Sequence, residues 1–217
     1  MKVWVVSTGF NPPTGHLCVA SVAAQVGVIC EHIIVNAAEQ PEPKTASQNL
    51  YEAIQGLPPD DVCAWIDGDD WLAMPDALVR VAKWYADDSD LLLTYGSFVT
   101  SDGDPATWQG AYPPGADVRA HPWLASHLRT FRAGLFQRLT PEDLQLDGEW
   151  LSLGVDQAVM LPMLEMAGHT RRHFCPVPLV VYNVGSSWGA PARPADLDRE
   201  AEVVARVRAK ARKERIK

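Results

Sequence analysis

The sequence of 217 residues holds only four cysteines, Cys18, Cys30, Cys63 and Cys175, and none of them stand in a C-x-x-C spacing. That scarcity excludes a disulfide framework and a cysteine-built zinc site, and it predicts free thiols in apolar surroundings. No apolar run reaches the roughly 18 to 20 residues of a membrane span. The opening Met1-Lys2-Val3-Trp4-Val5-Val6 is too short for a signal-peptide core, so the cytoplasm is the expected location. Positive charge is also scarce: 19 Lys and Arg against 27 Asp and Glu give a formal net charge of -8, which excludes a binder of nucleic acid through a wholly basic surface. A glycine-rich, basic loop of the kind that grips a triphosphate is missing, as is any internal repeat.

The remaining composition, 47% hydrophobic and 21% charged, is that of a folded globular chain. Its length suits one core and one domain. The expected division is a catalytic domain over 1–195 and a C-terminal helix with a basic tail over 196–217. In that tail Arg206, Arg208, Lys210, Arg212, Lys213, Arg215 and Lys217 are opposed only by Glu214. A solvated, frayed helix end is the plainer expectation. An anionic partner, DNA or a membrane surface, is the alternative.

Short apolar runs alternate with helical patterns through the first half, the signature of an α/β fold with a mostly parallel central sheet and flanking helices. Strands are predicted at 3–7, 32–36, 62–66, 91–95 and 177–182. Helices are predicted at 17–26, 46–54, after Pro75, at 155–167 and from Asp196. Residues 100–122, rich in Gly, Pro, Asp and aromatics, read as a long loop in which to look for the acceptor.

The third strand, Val62-Cys63-Ala64-Trp65-Ile66, runs directly into Asp67-Gly68-Asp69-Asp70. Three carboxylates in four residues repel one another and need a cation or hydrogen bonds to compensate. In open parallel sheets ligands bind at the carboxyl ends of strands, which places these acids at a site. Hard oxygen ligands of this kind suit Mg2+ or Mn2+ shared with substrate phosphates, and a nucleotide diphosphate is the ligand expected. An acidic surface turn is the competing reading, because Asp and Gly are ordinary turn residues. The continuous apolar strand before the cluster and Trp71-Leu72, expected at the approach to a helix after it, favour the site. Arg129 and Arg132, three apart and so on one face if helical, have forks suited to phosphate or sugar hydroxyls. Trp71, beside the acids, is placed to stack on a sugar or base.

The ordered set Asp67-Gly68-Asp69-Asp70-Trp71-Leu72, Leu93-Thr94-Tyr95-Gly96-Ser97-Phe98, Leu128-Arg129-Thr130-Phe131-Arg132, the run from Asp156 to Gly168, and Val181-Tyr182-Asn183 resembles glycosyltransferase family 2, the group with the GT-A, Rossmann-like fold. The resemblance spans about 48–183. It implies an inverting transfer of a sugar from a nucleotide diphosphate donor, usually UDP-linked, to a hydroxyl acceptor, with hexosyl transfer the default. It further implies that Asp67 lies near the nucleotide, that Asp69 and Asp70 hold the cation, and that Asp156 is the general base. His173 falls where some members carry a late metal-ligating histidine. A carboxylate favoured by the helix dipole is the other reading of Asp156. Glu165, nine residues on and half a turn round, is left out of the base role.

The sequence also departs from the family. The opening pair becomes Thr8-Gly9-Phe10-Asn11, and the second strand ends in Asn36 and Glu39 rather than in an acidic pair, so Thr8 and Asn36 are the expected nucleotide contacts there. The segment from Val184 to Trp188 replaces the usual Asn-Pro and predicts an altered acceptor-side loop. The acceptor is expected to be a glycan, a protein, a lipid-linked sugar or a hydroxylated DNA base. The alternatives are a non-catalytic nucleotide or sugar module of the same fold and a nucleotidyltransferase; the absence of a triphosphate loop weighs against the latter.

Overall fold

The computed structural model describes residues 1–9, 14–36, 40, 42, 44–105, 109–185 and 194–216, with backbone only at 194–196. Asn11, Glu39, Trp188 and Lys217 lie outside the described residues.

β1 (Val3–Thr8), α1 (Gly15–Ala23), β2 (Cys30–Val35), α2 (Ala46–Gln55) and β3 (Val62–Asp67) form three parallel strands with crossover helices. β4 (Trp71–Leu72), α3 (Ala77–Asp87), β5 (Leu93–Thr100), β6 (Ser126–Arg132) and the short α4 (Ala133–Phe136) follow. A 3-10 turn at Pro141–Leu144 leads into a small hairpin of β7 (Gln145–Leu146) and β8 (Glu149–Trp150). α5 (Val155–Ala167), β9 (Arg172–Tyr182) and α6 (Pro194–Ala209) complete the chain. The main sheet has the order β2-β1-β3-β6-β5-β9-β4. Five strands run one way, and β6 and β4 run against them.

The continuous apolar run of β3 has a simple cause. Cys63 and Trp65 enter the core under α2 and α5, while Val62, Ala64 and Ile66 enter the core under α3. A strand covered on both faces has no solvated side to alternate with. Thr45 caps α2 by accepting a hydrogen bond from the Gln48 amide at 3.3 Å. β1 and β3 are in register from Val3↔Val62 to Thr8↔Asp67, so their carboxyl ends finish level. Among the described residues no helix is long and apolar enough to cross a membrane. All four cysteines are free, and Cys18, Cys63 and Cys175 are buried.

Four expectations are corrected. Residues 126–132 form a strand, not a helix, because the segment fills the gap between β3 and β5 with every side chain except Arg132 buried. Trp71 and Leu72 form a short strand against Val181 and Val180, so β9 rather than a helix anchors the acidic turn. The long loop is not free but held on the core in its described part. Tyr112 and Val118 are core residues, and the Tyr112 amide donates to the Tyr95 hydroxyl at 2.9 Å.

The basic tail is the fourth correction, since it is neither frayed nor free. Arg206 pairs with Asp147 at 2.7 Å, Arg212 with Asp117 at 2.5 Å and Lys213 with Asp143 at 2.8 Å. Arg208 donates to Gln157 at 2.7 Å and to the carbonyls of Arg119 and His121. Lys210 donates to three carbonyls, those of Glu142, Asp143 and Gln145. Arg215 donates to Thr170. The segment is a strap over α5, with Val207 buried in the core and Ile216 packed against it.

Candidate functional site

The level ends of β1 and β3, the start of β6, the N-terminus of α5 and the end of β9 surround one cavity of about 320 Å³. Thr8, Asp67, Asp69, His127, Arg129 and Asp156 all contribute to its wall.

The acidic turn is built by its own backbone. The Gly68 amide donates to the Thr8 carbonyl at 2.7 Å, and the Asp70 amide donates to the Asp67 carbonyl at 3.0 Å. This geometry turns Asp70 inward, where its Oδ1 accepts from the Asn183 amide at 2.9 Å. Its Oδ2 is buried and has no hydrogen-bond partner. A buried carboxylate left half satisfied is costly, and the protonated form is favoured instead. Burial, then the charges of Asp67 and Asp69, push the Asp70 carboxyl up to about 8, against the amide of Asn183 and the charge of Arg129.

β6 delivers the other half of the site. Trp65 pairs with Arg129 in the antiparallel register, which carries Asp67 opposite His127 two residues on. The His127 ring lies with Nε2 at 3.9 Å from Asp67 and Nδ1 at 3.7 Å from Asp70. Burial and the neighbouring Arg129 hold its pKa well below the ordinary value, so the imidazole is neutral, with its one nitrogen lone pair turned to Arg129. Arg129 stacks over Trp65 at 4.1 Å and donates to Asp67 at 3.3 Å and to His127 Nε2 at 2.9 Å. Ligand atoms of Asp67, Asp70 and His127 lie within 4.8 Å of one another. Two carboxylates, a neutral imidazole and an orphaned buried oxygen fit a divalent cation that accepts mixed oxygen and nitrogen ligands, Mn2+ more readily than Mg2+.

Asp156 stands in the first turn of α5, half-buried at the cavity wall. Burial first, and the charge of Asp67 after it, raise its pKa, while Arg129 and the backbone amides at Asp156 and Gln157 pull it down. A carboxylate poised above its ordinary range is suited to taking a proton. Glu165 faces away, in a buried pair with Arg119 at 2.5 Å.

The structure therefore brings together Thr8, Asp67, Asp69, Asp70, Arg129 and Asp156 of the residues expected from sequence. It separates four others. Arg132 pairs with Val62 at the far end of β3 and donates to the carbonyls of Leu91, Asp60, Tyr85 and Ser89. In a strand, positions three apart point to opposite faces about 10 Å apart, which is why the helical pairing with Arg129 fails. His173 pairs with Thr94 near the start of β9 and packs on Trp84 at 5.2 Å, roughly 25 to 30 Å along the strand from Tyr182. Trp71 is half-buried in β4 and does not line the cavity. Asn36 follows the end of β2 outside the cavity wall. Asp67 joins the ligand group, where the resemblance placed Asp69. His127 was missed, although its position one residue before Leu128-Arg129-Thr130-Phe131, read as a strand antiparallel to β3, would have put it beside the acids.

No protein-family model matches the sequence, and no curated protein does. Solved structures do. Mannosyl-3-phosphoglycerate synthase from Rubrobacter xylanophilus matches with TM-score 0.61 and 12% identity over 96% of this chain and 73% of its own. The S. aureus TarS 1-349 structure matches with TM-score 0.59 and 12% identity over 95% of this chain and 65% of its own. The mannosyltransferase PcManGT from Pyrobaculum calidifontis, in complex with GDP-Man and Mn2+, matches with TM-score 0.54 and 13% identity over 94% and 69%. The chain thus spans about two thirds of TarS 1-349 and 39% of the longer TarS structure. What these likenesses establish is architecture: the chain has the fold of the GT-A glycosyltransferases.

Proposed function

We propose that this chain is a metal-dependent, inverting glycosyltransferase that moves a sugar from a nucleotide diphosphate donor to a hydroxyl acceptor. The observation that carries the reading is the convergence of Asp67, Asp70 and His127 beside the cavity that Asp67, His127 and Asp156 line. Bound there, a divalent cation supplies positive charge opposite the leaving diphosphate. Arg129 adds a fixed positive charge beside it, and Asp69 lines the same wall. Asp156 takes the proton from the acceptor hydroxyl as that oxygen attacks the anomeric carbon and the nucleoside diphosphate departs from the opposite side. One base and one leaving group suffice for a single displacement, hence inversion.

TarS has been solved with UDP-GlcNAc and PcManGT with GDP-Man and Mn2+. Those two donors and UDP-glucose are therefore the compounds to screen, with uracil the default base. Calorimetry with Mn2+ present should find one that binds, and binding should vanish with EDTA. Nucleotide release should then fall about 10³-fold in Asp156→Asn with donor affinity retained, the loss expected for a general base. Tight donor binding with no turnover on any hydroxyl acceptor would instead identify a binding module.

A further inference from the structure

Among the described side chains of α6, Glu200 lines the cavity, together with Asp156. The helix is held there by tight packing. Gly154, at φ 61 just before α5, leaves room for Val204, whose Cγ2 would lie 3.1 Å from a Cβ at that position. Val207 is buried, and Arg208 grips Gln157, the neighbour of Asp156. The placement of Glu200 is therefore a property of the fold and not of a loose end.

Among the described residues Glu200 has no hydrogen-bond or ion-pair partner, and the Asp156 carboxylate is held by the backbone amides of Asp156 and Gln157 and by the charge of Arg129. Glu200 is an exposed residue that lines the cavity together with Asp156; partial burial first, and the charge of Asp156 after it, raise its pKa. Arg129, 4% exposed, lines the same wall and is already engaged with Asp67 and His127. Two acceptor-only groups over one opening favour a molecule that brings donors, and they repel one that brings negative charge.

We propose that Glu200 is an acceptor-binding residue: it accepts a hydrogen bond from a hydroxyl or ammonium next to the hydroxyl that Asp156 deprotonates, and so selects neutral or cationic acceptors over those bearing phosphate or carboxylate. The inference rests on the glycosyltransferase reading and names the acceptor class for that site. It predicts that an anionic group at this position costs about tenfold in affinity relative to a neutral one at low salt.

The test uses the full chain with UDP and Mn2+, and three probes in 50 mM salt: D-glucosamine, methyl glucoside and glucose 6-phosphate, followed by ligand-observed NMR. Affinity should fall in that order. Glu200→Gln should flatten the order and Glu200→Lys should reverse it, with both variants checked for an unchanged melting profile. The inference is overturned if glucose 6-phosphate binds the wild type as well as glucosamine, if the order survives Glu200→Gln, or if UDP binds and no probe does. Failure of the wild type to bind UDP with Mn2+ would instead remove the glycosyltransferase reading, and this inference with it.

Discussion

The acidic turn and the basic strap are both dense runs of one charge, and the structure treats them oppositely. In the strap each described cation from Arg206 to Arg215 meets a carboxylate, a carbonyl, an amide oxygen or a hydroxyl. In the turn Asp70 keeps a buried oxygen with no partner, a few ångströms from Asp67 and from a neutral imidazole. Natural structures satisfy buried polar groups wherever folding alone decides. A buried oxygen left without a hydrogen bond beside a cavity is therefore arranged for something that binds, and a run whose described cations are all partnered is arranged for the chain itself.

That contrast predicts opposite responses to mutation. Asp67→Ala or Asp70→Ala should lower metal-dependent nucleotide release by about 10³-fold or more, since each would remove a ligand of the cation that offsets the leaving group's charge. Metal-free Asp70→Asn should nevertheless melt higher than wild type at pH 8. The sign follows from linkage. A carboxyl at about 8 when folded and 3.8 otherwise favours folding while protonated, so its stabilising share is lost as pH rises from about 4 to 8. Mn2+ should accordingly raise the melting temperature more at pH 8 than at pH 5. Melts that show Asp70→Asn less stable than wild type in EDTA at pH 8 would break the comparison.

On the strap side the largest expected effect is Arg119→Ala. Arg119 and Glu165 form a bidentate pair with side-chain exposures of 6% and 8%, and Arg119 also donates to the Val207 carbonyl at 2.8 Å. Removing one partner leaves a buried charge alone, which costs about 3 to 5 kcal/mol. The melting temperature should fall by roughly 10 °C at ~2 to 4 °C per kcal/mol. The double change Arg119→Met with Glu165→Leu should recover most of the loss, because it removes both charges together. A double variant as unstable as the single would show that shape, not charge, was the cause.

The strength of these contrasts explains what could be read from sequence. β3 was legible because a strand buried on both faces is a continuous apolar run, and the acids at its end were legible because strand ends face the site. α5 was legible from Val155 to the closing Gly168. β6 was not, since Leu128-Arg129-Thr130-Phe131-Arg132 shows neither alternation nor helical period, its neighbours in space being far off in the chain. The error at β6 propagated: it joined Arg132 to Arg129 and hid His127. The strap failed for a related reason, because its partners Asp117, Asp143 and Asp147 lie dozens of residues away and a local charge count cannot pair them.

Gly154 joins the two regions, since it opens α5 ahead of Asp156 and receives α6 from the strap side. Gly154→Ala should cost about 1 to 2 kcal/mol, from a side chain at positive φ and from the 3.1 Å approach to Val204. The loss should be accompanied by weaker acceptor binding with donor affinity retained, because α6 must shift while the acidic turn stays. Equal weakening of donor and acceptor would mean that α5 itself had moved.

The smallest effect is expected at the rim of the strap. Arg212 and Asp117 make two short contacts, and the guanidinium holds the Asp117 carboxyl down to about 2 from its ordinary 3.8. A depressed carboxyl contributes stability above its unfolded pKa and loses it as pH falls from about 4 towards 2. Both side chains are exposed, at 57% and 40%, so water and salt screen the pair heavily. Arg212→Gln should lower the melting temperature by only a degree or two at pH 6 and by nothing measurable in 1 M salt. The wild type and the variant should converge as the pH approaches 2. A drop at pH 6 as large as that of Arg119→Ala would show that the strap is held by its exposed pairs rather than by Arg119, Glu165 and Val207 beneath them.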